Sequence, residues 1–170
     1  DLHLGAQAGE GPYREKAIKF LSDGMRKGKG GYDAWCGMSL GVMAFYVSEQ
    51  GASMPSTVER GVLEKFNKES NQQRKGAYAV SLGLMKAETA KEDLRKAIDK
   101  SRDESFQGYA CLGLGMIGAR EYKDFLTEVV QNSTRKPDLL KQGSIALGLM
   151  KDKEVSTLLI KLIKPDDKKK

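Results

Sequence analysis

Two kinds of helical pattern alternate along the chain. Residues 77–85 are apolar on almost every side of the predicted helix, as is typical of a helix packed between neighbours. Residues 91–98 instead place Leu94, Ala97 and Ile98 at i, i+3 and i+4, on one face of an otherwise charged helix. The alternation of an apolar helix with an amphipathic helix predicts an all-α fold made of helical hairpins.

The apolar helix recurs with a Leu-Gly pair at one position, at steps of 42, 32 and 33 residues. An interior glycine costs about 1 kcal/mol relative to alanine, so this recurrence predicts that neighbouring apolar helices approach closely there. The third repeat could also be aligned on Leu112-Gly113. Alignment on Leu114 is preferred because it places Gly76 and Gly108 at the same position of their repeats. The four pairs are Leu40-Gly41, Leu82-Gly83, Leu114-Gly115 and Leu147-Gly148.

The amphipathic helix follows the apolar helix at a fixed distance. Apolar residues stand 12, 15 and 16 positions after the Leu in three repeats, whereas Val62 and Phe66 come ten residues late after Leu40. The ten extra residues indicate an inserted loop near 48–57, and residues 56–59 (Ser-Thr-Val-Glu) predict a capping box for the next helix. The three regular sets are Leu94, Ala97 and Ile98; Leu126, Val129 and Val130; and Leu159, Leu162 and Ile163.

The repeats organise residues 1–165 as one domain, followed by a charged tail at 166–170. Leu4-Gly5 carries the pair once more, 36 residues before Leu40, so we expect the chain to begin inside a truncated unit and to be a fragment of a longer protein. The predicted fold is a right-handed α-solenoid of about four complete helical hairpins plus the truncated N-terminal one. The units lie near 1–28, 29–70, 71–102, 103–135 and 136–165.

Three features of the repeat resemble HEAT repeats. They are its opening, with Arg74, Gly76-Ala77 and Leu82-Gly83, its amphipathic second helix, and the turn around Asp103. The short HEAT-like form of phycobilisome-lyase-type proteins is the most similar. The resemblance covers essentially the whole chain and implies a solenoid that serves as a protein-binding scaffold. Glycine-rich strings at 109–115 and 143–148 are also similar to the repeats of large proteasome regulatory subunits.

The charge of the chain is spread rather than concentrated. There are 29 basic and 23 acidic residues, a net charge of +6, and signs alternate within most helices, as in residues 91–96. A nucleic-acid groove would require a stripe of one sign. The longest mostly apolar run, residues 36–47, is too short to cross a bilayer, so we expect no membrane insertion.

Few residues offer chemistry. His3 is the sole histidine and Cys36 and Cys111 are the only cysteines, too few ligands for a closed zinc site, so we expect no cofactor and no catalytic constellation. Both cysteines lie in apolar runs and predict inert core thiols, which favour a cytoplasmic location. Residues 24–31 are rich in glycine and lysine, but they lack the Walker spacing and hydroxyl, so they predict a flexible basic loop.

Four charged residues occupy the same position in successive second helices, and the sign of their charge alternates. They predict a ladder of ion pairs between neighbouring repeats, each worth at most about 0.2–1 kcal/mol if exposed. The alternative is a charged binding strip. The four residues are Glu64, Lys96, Glu128 and Lys161.

Several surfaces are candidates for binding a protein partner. The surface lined by second helices and the inserted loop, with Met54 and Pro55 as anchors, are the leading ones, whereas Tyr32 and Trp35 are interpreted as packing residues. A nucleic-acid-binding module, as in alkylpurine glycosylases of this architecture, remains an alternative that predicts a basic concave face. A lyase-type enzyme, implied by the resemblance alone, and a structural segment of a larger protein also remain open. The candidates for the basic face are Lys91, Arg95 and Lys123, whose acidic neighbours count against it.

Overall fold

The computed structural model describes residues 12–150 together with Thr157 and Ile160. This part of the chain is all-helical and contains no strand, which confirms the predicted class. Short 3₁₀ turns at Glu88–Ala90 and Arg120–Tyr122 lead into two of the helices. The helices are α1 (Pro12–Lys27), α2 (Tyr32–Glu49), α3 (Ser56–Lys68), α4 (Gln72–Leu84), α5 (Lys91–Lys100), α6 (Glu104–Ile117), α7 (Lys123–Gln131) and α8 (Pro137–Leu149).

Side-chain caps set the starts of α4 and α6. Asn71 accepts a hydrogen bond from the backbone N–H of Arg74 at 3.0 Å, and Asp103 accepts one from Phe106 at 2.8 Å. Such caps satisfy backbone donors that have no partner inside the helix. Gly118, with φ at 82°, ends α6 in the left-handed conformation that glycine adopts without strain.

The helices form two layers around one core. The even-numbered helices α2, α4, α6 and α8 pack side by side in chain order. Each odd-numbered helix packs beneath the even helix that follows it: α1 on α2, α3 on α4, α5 on α6 and α7 on α8. The largest fully buried side chains come from both layers: Tyr78, Phe66, Phe106, Leu40, Met43, Leu82, Leu94, Ile98, Leu114, Leu126, Leu147 and Met150.

The recurring glycines mark the points where even helices touch. A Cβ placed on Gly83 would lie 2.8 Å from Cα of Gly113, and one on Gly115 would lie 2.5 Å from Cα of Ala146. A Cβ placed on Gly41 would likewise lie 2.8 Å from Cα of Ser81. The predicted close approach is therefore confirmed at three of the four positions. For Gly148, on α8, no described atom lies within 4 Å of the added Cβ.

The ten extra residues after Leu40 are not all loop. α2 has 18 residues where α4 has 13, so part of the insertion lengthens the helix, and the connection shortens to residues 50–55. The capping-box prediction is wrong: Pro55 is the N-cap, no side chain caps α3, and Ser56 already lies inside the helix. Met54 is half-buried against the core rather than projecting from the loop.

The glycine-rich segment at 24–31 is a loop only in its second half. α1 continues to Lys27 and buries Met25 in the core, leaving residues 28–31 as the connection to α2. The expectation of a flexible loop over the whole segment is therefore wrong. Gly24 lies in the helix, where an added Cβ would stand 2.6 Å from Sγ of Cys36.

Several predictions fall on residues outside the described part. They concern His3, Lys161, the truncated first helix, the predicted apolar positions Leu159, Leu162 and Ile163 of the last unit, and the tail at 166–170. Among the helices that are described, none combines the length and the apolar character needed to span a membrane.

Candidate functional site

The even helices leave one side of the molecule open. α4 and α6 each have an even helix on both flanks and an odd helix beneath, so their remaining side faces solvent. We call this side of the even layer the outer face. It is strongly apolar, because residues 34–48, 76–85, 105–117 and 142–149 contain no charged side chain. The large exposed apolar side chains of these helices are Tyr32, Trp35, Phe45, Tyr109, Ile145 and Leu149.

A groove of about 390 Å³ runs along the outer face between α2, α4 and α6. Gly76 lies in its floor, where an added Cβ would stand 2.8 Å from Cδ2 of Tyr109, so the tyrosine ring lies directly against the backbone of α4. The lining is mostly apolar and has a single ionisable group besides Tyr109, the guanidinium of Arg74. The lining residues are Gly31, Ala34, Trp35, Met38, Gln73, Arg74, Gly76, Ala77, Val80 and Tyr109.

Trp35 is the most exposed aromatic side chain of the groove. Its neighbours Ala34 and Cys36 are buried, but Trp35 itself is 75% exposed and Tyr32, one turn before it, is 50% exposed. The interpretation of these aromatics as packing residues is therefore wrong for Trp35. The reason is its position: the side chain lies on the outer face of α2, where no described element covers it.

One end of the groove is positively charged. Lys27, the last residue of α1, and Lys29, on the connection to α2, are both exposed and stand within four residues of Gly31 of the groove lining along the chain. Gly31 is the N-cap of α2 and supplies no side-chain cap, so the partial positive charge of the helix N-terminus adds to the two lysines. A negative group bound at this end would therefore be stabilised.

The acidic groups near this end are already paired. Asp33 is buried and lies 3.7 Å from Nζ of Lys65, and Glu69 accepts hydrogen bonds from Arg74 at 2.9 and 3.0 Å. Burial opposes ionisation of Glu69, but the hydrogen bonds from Arg74 and from backbone N–H groups outweigh it and hold the pKa of Glu69 below its usual value. These carboxylates therefore neutralise Lys65 and Arg74 rather than Lys27 and Lys29.

Tyr78 lies beneath the groove and is fully buried. Its hydroxyl and Oδ1 of Asp33 have no hydrogen-bond partner within the described part of the chain. Burial raises the pKa of Tyr78 strongly, and the carboxylates of Asp33 and Glu69 raise it further. The phenol therefore stays protonated at neutral pH and is unsuited to acid–base catalysis there.

A larger cavity, of about 530 Å³, lies between α1 and α3 on the odd-helix side. Its floor contains Met25, Val58 and Gly61, but its walls mix both signs of charge. A cavity of mixed charge lined by exposed, flexible side chains defines no ligand class.

Two of the three residues of the predicted basic surface are paired with carboxylates. Nζ of Lys91 lies 3.0 Å from Glu121 and also pairs with Glu88, and these partners raise the pKa of Lys91 against the opposing effect of burial. Arg95 pairs with Asp99 at 2.7 Å and stacks over the ring of Phe125. Lys123, the third candidate, begins α7.

The predicted ion-pair ladder takes a different form. Glu64 pairs with Lys68 at 2.5 Å and Lys96 pairs with Glu92 at 3.1 Å, each within its own helix. Polar links between odd helices occur elsewhere: Thr89 donates a hydrogen bond to Glu59 and Tyr122 donates one to Glu92, both at 2.6 Å. Glu128 is exposed on α7.

Both cysteines are buried and free, as predicted. Burial raises the pKa of Cys111 to about 12, so this thiol remains protonated and unreactive. Among residues 12–150, no cluster of three or more potential ligands is arranged to hold a metal ion.

Sequence reasoning missed the outer face, although the sequence carries its signal. The charge-free stretches of the even helices are long enough to cover every side of each helix, including the side that no neighbour covers. Met54 and Pro55, the predicted anchors, lie apart from this groove, in a small cavity near the start of α3.

The chain was compared with protein-family models, with curated proteins and with solved structures, and it matches none of them.

Proposed function

We propose that this chain is a protein-interaction scaffold that binds its partner through the outer face of the even helices. The observation that carries the proposal is the mostly apolar outer face, on which Trp35 is 75% exposed beside a groove of about 390 Å³ whose one charged lining residue is Arg74. Large contiguous apolar patches are rare on soluble monomers and mark interaction sites. Exposed tryptophan and tyrosine are enriched among the residues that dominate binding energy at interfaces.

The recurrent packing supports the proposed architecture, a right-handed α-solenoid of HEAT-like repeats. The contact of Gly83 with Gly113 has the same form as that of Gly115 with Ala146, one helix further along. Equal contacts between successive equal elements are what a solenoid requires. Such an array provides an extended surface rather than an enclosed active site, in keeping with a non-enzymatic role.

The groove replaces the surfaces that the sequence favoured. Met54 packs partly against the core, and Pro55, although exposed, is the N-cap of α3 in a cavity apart from the groove. Nucleic-acid binding gains no support from Lys91 and Arg95, since both are paired with carboxylates.

A capture experiment from source lysate tests the proposal with three forms of the chain: wild type, Trp35→Ala and Phe20→Ala. Phe20 is 65% exposed on α1, outside the groove, and is the matched aromatic control. We expect a discrete protein that survives high salt, because an apolar interface is not weakened by salt. This protein should be lost with Trp35→Ala and retained with Phe20→Ala.

Two results would contradict the proposal. One is capture that is the same for all three forms, which would place binding away from the groove. The other is retention of nucleic acid that dissociates as salt rises, the behaviour of phosphate contacts.

A further inference from the structure

We propose that the groove beside Trp35 binds a peptide segment of a protein partner in which apolar anchors stand next to acidic residues. This inference rests on the proposed scaffold function and specifies the chemistry of the partner. The structure supplies two adjacent features that such a segment would match: an apolar groove and an uncompensated positive end.

The groove itself selects the apolar anchors. Trp35, Met38, Ala77 and Val80 line it with apolar side chains, and the ring of Tyr109 lies against Gly76. Desolvating a polar or charged side chain against these groups would be unfavourable, because they offer few hydrogen-bond partners. Aliphatic or aromatic side chains of the partner therefore fit the groove.

The end of the groove at the α1–α2 connection selects the acidic residues. Lys27, at the end of α1, and Lys29, on the connection, are exposed, and the N-terminus of α2 has no side-chain cap. The carboxylates around this end are paired with other cations: Asp33 with Lys65, Glu69 with Arg74, and Asp23, one turn before Lys27, with Arg26. Charge complementarity at the rim of an interface steers the encounter and sets the orientation of the bound segment. A carboxylate-bearing segment is thus attracted, and a basic segment is repelled.

Trp35 provides a label-free readout, because it is the only tryptophan of the chain. Its emission should shift to shorter wavelength when a bound segment covers the ring. The probes are three pools of short synthetic peptides of random order. One contains only Leu, Phe, Asp and Glu, the second only Leu, Phe, Lys and Arg, and the third only Ser, Asp and Glu.

We expect the apolar acidic pool to shift the emission at the lowest concentration, and the other two pools to need about tenfold more or to give no shift. Replacing both lysines, Lys27→Ser with Lys29→Ser, should weaken binding of the apolar acidic pool about fivefold at low salt. The matched control, Lys100→Ser with Arg102→Ser, removes the same charge from exposed positions outside the groove lining and should leave binding unchanged.

A third variant, Val80→Glu, places a carboxylate inside the groove and should abolish the shift with the apolar acidic pool. Circular dichroism of each variant confirms that the helices are retained. Because Val80 is only half-buried, the folded variant is the expected result.

Four outcomes would overturn the inference: no shift with any pool, equal shifts with acidic and basic apolar pools, a stronger shift with the basic pool, or a blue shift produced by raising the protein concentration alone. The last would show that a second copy of the chain covers the groove. If any of these occurs while the lysate protein is still lost with Trp35→Ala, the scaffold function stands and only the partner chemistry is wrong.

Discussion

Tyr122 donates a hydrogen bond to Oε2 of Glu92 at 2.6 Å, across the 30 residues that separate neighbouring odd helices. Thr89 makes the equivalent bond to Glu59, also at 2.6 Å and also over 30 residues. In both cases the donor lies in the 3₁₀ turn before one odd helix and the acceptor lies on the preceding odd helix. Neighbouring odd helices are therefore linked by a repeated hydroxyl–carboxylate contact. Lys91 and Glu121 add an ion pair at 3.0 Å, whereas Glu64 and Lys96 of the predicted ladder pair within their own helices.

The contact should make part of the stability depend on pH. The hydrogen bond from Tyr122, followed by one from Lys96, lowers the pKa of Glu92 from its usual 4.5. A lowered pKa contributes stability that is present above the unfolded value and is lost as the pH falls through the folded value. We expect Tyr122→Phe to lower the melting temperature slightly at pH 7, and the difference from wild type to shrink below pH 4.5. A difference that is constant from pH 7 to pH 3 would contradict this account.

The glycines of the even layer provide a matched pair of substitutions. Gly115→Ala places a methyl group 2.5 Å from Cα of Ala146, where only a shift of the α6 and α8 backbones can relieve the overlap. We expect it to lower the free energy of unfolding by about 1–3 kcal/mol. Gly148→Ala meets no described atom and should raise the free energy of unfolding by up to about 1 kcal/mol through helix propensity.

Urea unfolding of both variants measures the difference. The two substitutions are chemically identical and both lie in helices, so propensity alone predicts the same sign for each. Equal effects would mean that α6 and α8 can move apart at no cost. The recurring glycine would then not mark a close approach of neighbouring helices.

The core and the glycine contacts could be predicted because they follow from local periodicity. Leu94 and Ile98 are buried as their spacing indicates, and Gly83 faces the neighbouring helix as its recurrence indicates. Each inference needs only the direction in which a residue projects from its helix, which the 3.6-residue period determines.

The polar contacts could not be predicted in this way, because each depends on competition between partners that are equally near. Lys96 has Glu92 four residues before it and pairs there, not with a neighbouring repeat. The N-cap of α3 is Pro55, one residue before Ser56. Ser56 therefore lies inside the helix and cannot form the capping box. The exposure of Trp35 depends on what lies above α2, and the repeat pattern contains no information about that.

Cys111 should be unreactive while the chain is folded. Its side chain is fully buried and its pKa is raised to about 12, so the nucleophilic thiolate is almost absent at pH 8. In a Cys36→Ser variant, which leaves Cys111 as the only thiol, we expect an aromatic disulfide reagent to react at least about 10³-fold more slowly with the native chain than with the urea-unfolded chain. Fast native labelling would show that the interface between α6 and its neighbours opens readily.

Trp35 should matter for binding and hardly at all for folding. Because the side chain is 75% exposed, Trp35→Ala should change the free energy of unfolding by no more than about 0.5 kcal/mol. Phe106→Ala, at an aromatic side chain only 1% exposed, should lower it by about 3–5 kcal/mol. Urea titrations followed by circular dichroism compare the two. If Trp35→Ala is as destabilising as Phe106→Ala, the tryptophan is a packing residue after all, and loss of partner capture in that variant would report unfolding rather than a damaged docking surface.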